Sequence, residues 1–253
     1  MRIVLLGASG NAGREIARLL SPMLTEGDQL VLAGRDRGRL EVTARVVSGP
    51  AEVELRQVDA TIDGAVRDLV EGAQQVVVTA SLPDRVGALA QIVADAGADW
   101  IDTLLSSPAK LAALRALEPV LRARGRCFVT DGGFHPGLPA AMVRWAGDQV
   151  DELVTADVFG GMRIDWRADS LAESTVAEML TEFGDFDLST WMDGGTRKLR
   201  MSECPKVDFG PPIGAKVCVP MPLAEMEALP RLFPRLRRCG FYIAGFSPTM
   251  DYL

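Results

Sequence analysis

Arg2-Ile3-Val4-Leu5-Leu6-Gly7-Ala8-Ser9-Gly10-Asn11-Ala12-Gly13 is the stretch that decides the fold. A short apolar run, strand-like in character, is followed by three glycines spaced G-x-x-G-x-x-G. Asn11–Leu20 then has the pattern of a helix. A strand that turns into a helix through such glycines suits a pyrophosphate. The glycines permit the tight turn, let backbone approach the phosphates, and let the helix pack close to the strand. The helix start adds unpaired N–H groups and partial positive charge. Three glycines alone are weak evidence, since ordinary strand-to-helix turns also carry them. The context on both sides gives the match its weight, so Gly7, Ala8, Ser9, Gly10, Asn11, Ala12 and Gly13 are expected to line a cofactor.

Working outward, short apolar runs alternate with helical patterns. Strands are expected at Arg2–Leu6, Gln29–Ala33, Glu52–Val58, Gln75–Ala80, Trp100–Asp102 and Cys127–Thr130. Helices are expected at Asn11–Leu20, Gly38–Val47, Ile62–Gly72, Pro83–Ala96 and Pro108–Arg124. This alternation predicts an α/β chain with a Rossmann-type doubly wound parallel sheet over residues 1–147. Ligands of such sheets sit beyond the carboxyl ends of the strands. Past Gly147 the pattern changes. A strand at Glu152–Phe159, a capping box at Ser170–Glu173 opening a helix to Phe183, and short strands at Lys216–Val219 and Phe241–Ala244 are set among glycine- and proline-rich connections. Residues 148–253 therefore read as a second, smaller α+β domain for substrate or dimerisation.

The second strand runs into Gly34-Arg35-Asp36. An NAD site usually ends this strand with an acidic residue for the ribose hydroxyls. Here Arg35 holds that place, suited to a 2′-phosphate, and the acid comes one position late. NADP is the expected cofactor. The rival reading gives Asp36 the ribose hydroxyl, NAD the site, and the arginines to solvent. Asp59 follows the third strand, either bordering adenine or capping a helix. Ala80, Ser81 and Leu82 follow the fourth and are expected to line the path to the nicotinamide.

Hydride chemistry asks the protein for positioning and a proton donor or acceptor. The single histidine, His135, lies beyond the sixth strand candidate and Asp102 at the end of the fifth; both are candidate catalytic residues. His135 also reads as a plain turn residue before Pro136, and Asp102 as a cap. A helix starting at Pro136 is expected to offer amides to a substrate carboxylate. Trp145, Trp166 and Trp191, with Arg163, Arg167 and Arg197, are weaker pocket candidates. A Tyr-x-x-x-Lys pair is absent, because neither Tyr242 nor Tyr252 precedes a lysine at that spacing. Short-chain dehydrogenase chemistry is thereby excluded.

The net charge of −7 argues against a nucleic-acid partner, where phosphate neutralisation needs a basic excess. Four scattered cysteines and one histidine argue against a zinc site. They suit a reducing cytoplasm. No stretch approaches the ~20 apolar residues of a membrane span, and no secretory leader is apparent. Unpaired strand edges in the second domain suggest a homodimer.

Together these segments resemble the saccharopine dehydrogenase/reductase-like family of NAD(P)-dependent oxidoreductases. The matching pieces are Val4–Gly10, Ala33-Gly34-Arg35-Asp36, Trp100–Thr103 and, most tellingly, Gly132-Gly133-Phe134-His135-Pro136-Gly137-Leu138-Pro139. The last is similar to the family's Gly-Phe-Asp-Pro-Gly-Leu segment, with His135 where the family commonly carries Asp. The resemblance implies hydride transfer at a C–N or C–O centre of a small polar metabolite. It covers about the first 145 residues, and relatives usually continue past Phe246–Leu253, so the second domain is expected to be compact or incomplete. The alternative is a non-catalytic NAD(P)-binding sensor or interaction protein.

Overall fold

The computed structural model describes residues 1–163 and 187–245. The capping box at Ser170–Glu173, Trp166, Arg167 and the Phe246–Leu253 segment lie outside the described residues. By contacts the chain forms two compact units, Met1–Gly133 and Phe134–Leu253.

The first unit is a six-stranded parallel sheet in the order β3-β2-β1-β4-β5-β6. Its strands are β1 (Arg2–Leu6), β2 (Gln29–Gly34), β3 (Glu52–Gln57), β4 (Gln75–Val78), β5 (Asp99–Asp102) and β6 (Phe128–Val129). Strand order reverses between β1 and β4, the switch point where such sheets open a crevice at their carboxyl ends. Side chains alternate across the strands and sort into two cores. Val4, Leu6, Val31, Ala33, Val76 and Val78 face α3 (Asp63–Val70), α4 (Val86–Ala96) and α6 (Glu118–Arg124). Ile3, Leu5, Leu30, Leu32 and Val77 face α1 (Asn11–Leu20) and α2 (Arg37–Ala44). Helices on both faces make the sheet doubly wound, as expected.

Two expected helices are divided. Pro83–Arg85 is a 3₁₀ turn before α4, and Pro108–Arg124 splits into α5 (Pro108–Ala116) and α6. Pro119 explains the second break: it has no N–H for the carbonyl a turn earlier, and its ring crowds that carbonyl.

The second unit has a five-stranded sheet in which β13 (Arg238–Ala244) is central. It pairs in parallel with β7 (Thr155–Gly161) and antiparallel with β8 (Ser189–Met192) and β12 (Val219–Pro220); β9 (Gly195–Lys198) continues from β8. β10 (Lys206–Asp208) and β11 (Ala215–Val217) form a separate hairpin. The helix expected from Pro136 begins at Leu138 and runs to Gly147 as α7. Its Ala140 and Val143 share a core with Leu229, Phe241 and Ile243. That packing places α7 in the second unit, ahead of the 147/148 division expected from the sequence. The Asp193-Gly194-Gly195 connection is a hairpin turn: Asp193 and Gly194 both have positive φ (48° and 93°), the two-residue geometry matching strand twist.

Candidate cofactor site

At the carboxyl edge of β1 the chain leaves Leu6 and folds back on β2. Gly7 N and Ala8 N both donate to Ala33 O, at 2.9 and 3.0 Å, and Gly10 N donates to Gly7 O at 2.9 Å. Arg14 N to Gly10 O (2.9 Å) is the first helical bond, which leaves the amides of Asn11, Ala12 and Gly13 without an acceptor inside the helix. Gly10 is the N-cap, and no side chain caps this end. Two glycines are required sterically. Gly7 has φ +99°, and a Cβ there would stand 2.5 Å from Ala80 N. At Gly13 a Cβ would come within 2.7 Å of Ala8 Cα and closer still to Gly7 O. The loop is thus pressed onto the end of β4 on one side and onto α1 on the other. An uncapped helix start behind a cradle that a Cβ would fill fits the pyrophosphate of a dinucleotide.

At the end of β2, Gly34 lies under the Ser9 side chain: a Cβ there would stand 2.7 Å from Ser9 Oγ, which would have to turn away. Arg35 is exposed, and its guanidinium forms no hydrogen bond or ion pair among the described residues, while Gln57 Nε2 donates to its carbonyl at 3.0 Å. Arg37 is tied to Glu41 (3.3 Å) and to Leu55 O (2.9 Å). Asp36 is the N-cap of α2 and accepts from Arg39 N at 3.0 Å. Asp59 accepts from Thr61 N (2.9 Å) and Thr61 Oγ1 (2.8 Å), which holds its carboxyl below the ordinary range, with Arg35 adding a smaller pull. Both acids have structural work, and the exposed Arg35 guanidinium stays uncommitted at the end of β2. Ala80, Ser81 and Leu82 follow β4 as expected; Ala80 N lies against Gly7, and Leu82 leads into the turn before α4.

Asp102, at the end of β5, is fully buried, and its carboxylate receives Trp100 Nε1 (2.7 Å), Leu104 N (3.0 Å), Thr130 Oγ1 (3.3 Å) and Lys110 Nζ (2.7 Å). Lys110 is itself buried and also donates to Leu104 O (2.5 Å) and Asp131 Oδ1 (3.3 Å), where Ser106 Oγ is a further donor. Asp131 sits at φ +61°, and Gly132 N donates to Asp102 O at 2.7 Å. The network ties the segments after β5 and β6 together at the ligand edge. Sequence reading missed Lys110 and Asp131. One signal was available: Lys110 is the only lysine among the first 133 residues, a stretch that otherwise uses arginine.

His135 lies in the second unit. Its ring stacks on Phe241 (centroids 5.7 Å) and meets Phe134 edge-on (5.1 Å). Nδ1 is buried with no hydrogen-bond partner among the described residues. Burial pushes its pKa down, so the neutral ring is favoured. Elsewhere in that unit Trp145 is 69% exposed, Trp191 is half-buried, and Arg197 pairs with Glu203. Among the described residues no group of three or more His, Cys, Asp or Glu is placed to hold a metal, and no helix is long and apolar enough to cross a membrane.

Residues 3–128 match the family model of the saccharopine dehydrogenase NADP binding domain. Through its first unit the chain belongs to the saccharopine dehydrogenase-like NAD(P)-binding family, an oxidoreductase family whose matched domain binds NADP. Apo saccharopine dehydrogenase (L-Glu forming) from Saccharomyces cerevisiae has a similar fold: TM-score 0.70 at 17% identity, over 96% of this chain and 54% of that one. The chain thus spans about half the length of that protein. Partial likenesses include the putative oxidoreductase YvaA of Bacillus subtilis (12% identity, 98% and 65% covered, TM-score 0.46). Another is the Citrobacter triphenylmethane reductase complexed with NADP(H) (14% identity, 63% and 57% covered, TM-score 0.38). No curated protein sequence matches the chain.

Proposed function

We propose that this protein is an NADP-dependent oxidoreductase of the saccharopine dehydrogenase type, acting at a C–N or C–O centre of a small polar metabolite. The observation that carries the reading is the glycine cradle before α1, with the Arg35 guanidinium left uncommitted at the end of β2. The open amides of Asn11, Ala12 and Gly13 at the start of α1 would hold the pyrophosphate, Arg35 the 2′-phosphate, and Ala80–Leu82 the nicotinamide side. In the oxidising direction NADP+ would take the hydride from the substrate while a base takes the proton; in the reducing direction NADPH would return the hydride and the same group the proton. Asp102 is saturated by donors, so its part is to position the edge of the sheet. His135 keeps a neutral ring with a buried, open Nδ1, which suits it to accept a proton from a bound substrate.

The second unit is proposed as the substrate domain. A homodimer is part of the proposal, supported by the exposed Leu138, Met142 and Trp145 along one side of α7. Light scattering that returns a monomer at working concentration removes the dimer. Four free cysteines support a cytoplasmic setting. NADPH oxidation against a panel of oxo acids, with and without amines, tests turnover. Activity with one substrate class supports the enzyme reading. Tight NADPH binding without activity on any of them supports a cofactor-binding sensor, the reading that the sealed Asp102 favours.

A further inference from the structure

Thr43 is a buried polar residue in the last turn of α2, 1% exposed. Its Oγ1 lies 2.9 Å from Ala8 O and 3.2 Å from Arg39 O. A hydroxyl has one proton to donate. A buried threonine in a helix satisfies itself on the carbonyl one turn back, here Arg39 O. The shorter contact instead crosses from α2 to the glycine loop.

The consequence at the loop is directional. Among the described residues the cis peptides are His135–Pro136 and Pro211–Pro212, so the Ala8–Ser9 peptide is trans. In a trans peptide the C=O and N–H point to opposite sides. With Ala8 O held by Thr43, Ser9 N–H is turned away from α2, and it donates to no described residue. Ala8 N is held by Ala33 O at 3.0 Å, so the chain is fixed on both sides of Ala8. Ser9 Oγ meanwhile lies over Gly34, the residue before Arg35. An open amide, a hydroxyl and the uncommitted arginine therefore belong to one corner, at the carboxyl end of β2.

We infer that Thr43 is a positioning residue for the 2′-phosphate of NADP: by holding Ala8 O it keeps Ser9 N–H and Oγ presented beside Arg35. The inference rests on the NADP reading above. Thr43 touches no ligand and acts through the Ala8–Ser9 peptide.

The test is equilibrium titration of wild type, Thr43→Val, Thr43→Ser and Arg35→Ala with four probes: NADPH, NADH, adenosine 2′-monophosphate and ADP. Thr43→Val is expected to weaken NADPH and adenosine 2′-monophosphate about tenfold, the scale of a lost hydrogen bond to a charged group. NADH and ADP, which lack the 2′-phosphate, are expected to stay within about twofold, and Thr43→Ser to restore selectivity. Should Thr43→Val not fold, Thr43→Ala gives the same readout. An equal loss on all four probes makes Thr43 a purely structural residue and overturns the inference, as does no loss on any. If Arg35→Ala shifts the NADPH-to-NADH ratio while Thr43→Val does not, the inference fails alone. If wild type shows no preference for NADPH, the NADP reading itself fails.

Discussion

Lys110→Met removes the one positive charge from a buried network. Nζ lies 2.7 Å from Asp102 Oδ1 and 3.3 Å from Asp131 Oδ1, with the three side chains 2%, 0% and 10% exposed. Methionine keeps much of the apolar stem, so the change isolates the ammonium group. Breaking a buried ion pair by removing one partner costs about 3–5 kcal/mol, because the other charge stays buried. Asp102 keeps three donors in Trp100, Leu104 and Thr130, so the lower end applies, about 3 kcal/mol. At about 3–4 °C per kcal/mol for a domain of this size, the melting temperature of the first unit falls by about 10 °C. Scanning calorimetry measures it, with the two units treated as separate transitions if they resolve. Adding Asp102→Asn removes the more deeply buried of the two stranded charges and keeps an acceptor for Leu104 N, while its amide group then faces Trp100 Nε1; it is expected to recover part of the loss. A drop below about 3 °C, under the scale of one kcal/mol, refutes the reasoning. So does a double variant less stable than the single one.

Gly13→Ala places a methyl within 2.7 Å of Ala8 Cα, so the loop must move; NADPH affinity is expected to fall at least about tenfold with the fold retained, and an unchanged dissociation constant contradicts the cradle. Asp36→Ala removes the N-cap of α2 and is expected to lower stability by about 1 kcal/mol in urea denaturation while leaving the NADPH-to-NADH ratio alone. A shifted ratio would return Asp36 to the ribose. His135 has a folded pKa below its unfolded value, so the unfolded chain binds more protons between the two. Stability therefore rises with pH through that window and is lost as pH falls from about 6.5 toward the lower folded value. His135→Phe is expected to flatten that acid limb in melting temperatures taken from pH 7.5 to 5; an unchanged limb places the titration elsewhere.

The first unit was legible because its signals are local. β1 and α1 follow from one strand, one loop and one helix pattern, and both run over the residues expected. Where a boundary moved, the cause was also local, as with Pro119 between α5 and α6. The second unit was harder to read. The β8–β9 hairpin hides behind an Asp193-Gly194 turn whose flanking strands, Ser189–Met192 and Gly195–Lys198, lack clear apolar alternation. At the site, the glycine loop could be read from spacing, and Arg35 from its place after β2. The Lys110 network could not, since Asp102, Ser106, Lys110, Thr130 and Asp131 meet only when β5 and β6 lie side by side. Asp36 and Asp59 show the opposite difficulty: acids at cofactor positions in the sequence that serve as a cap and a turn in the structure.

The most direct test of the account is a calorimetric titration of NADPH and NADH into wild type and Arg35→Ala. The account predicts that wild type binds NADPH at least about tenfold tighter than NADH, as an arginine–phosphate pair allows, and that Arg35→Ala erases the difference by weakening NADPH alone. Equal affinities in wild type, or a preference that survives Arg35→Ala, would contradict it.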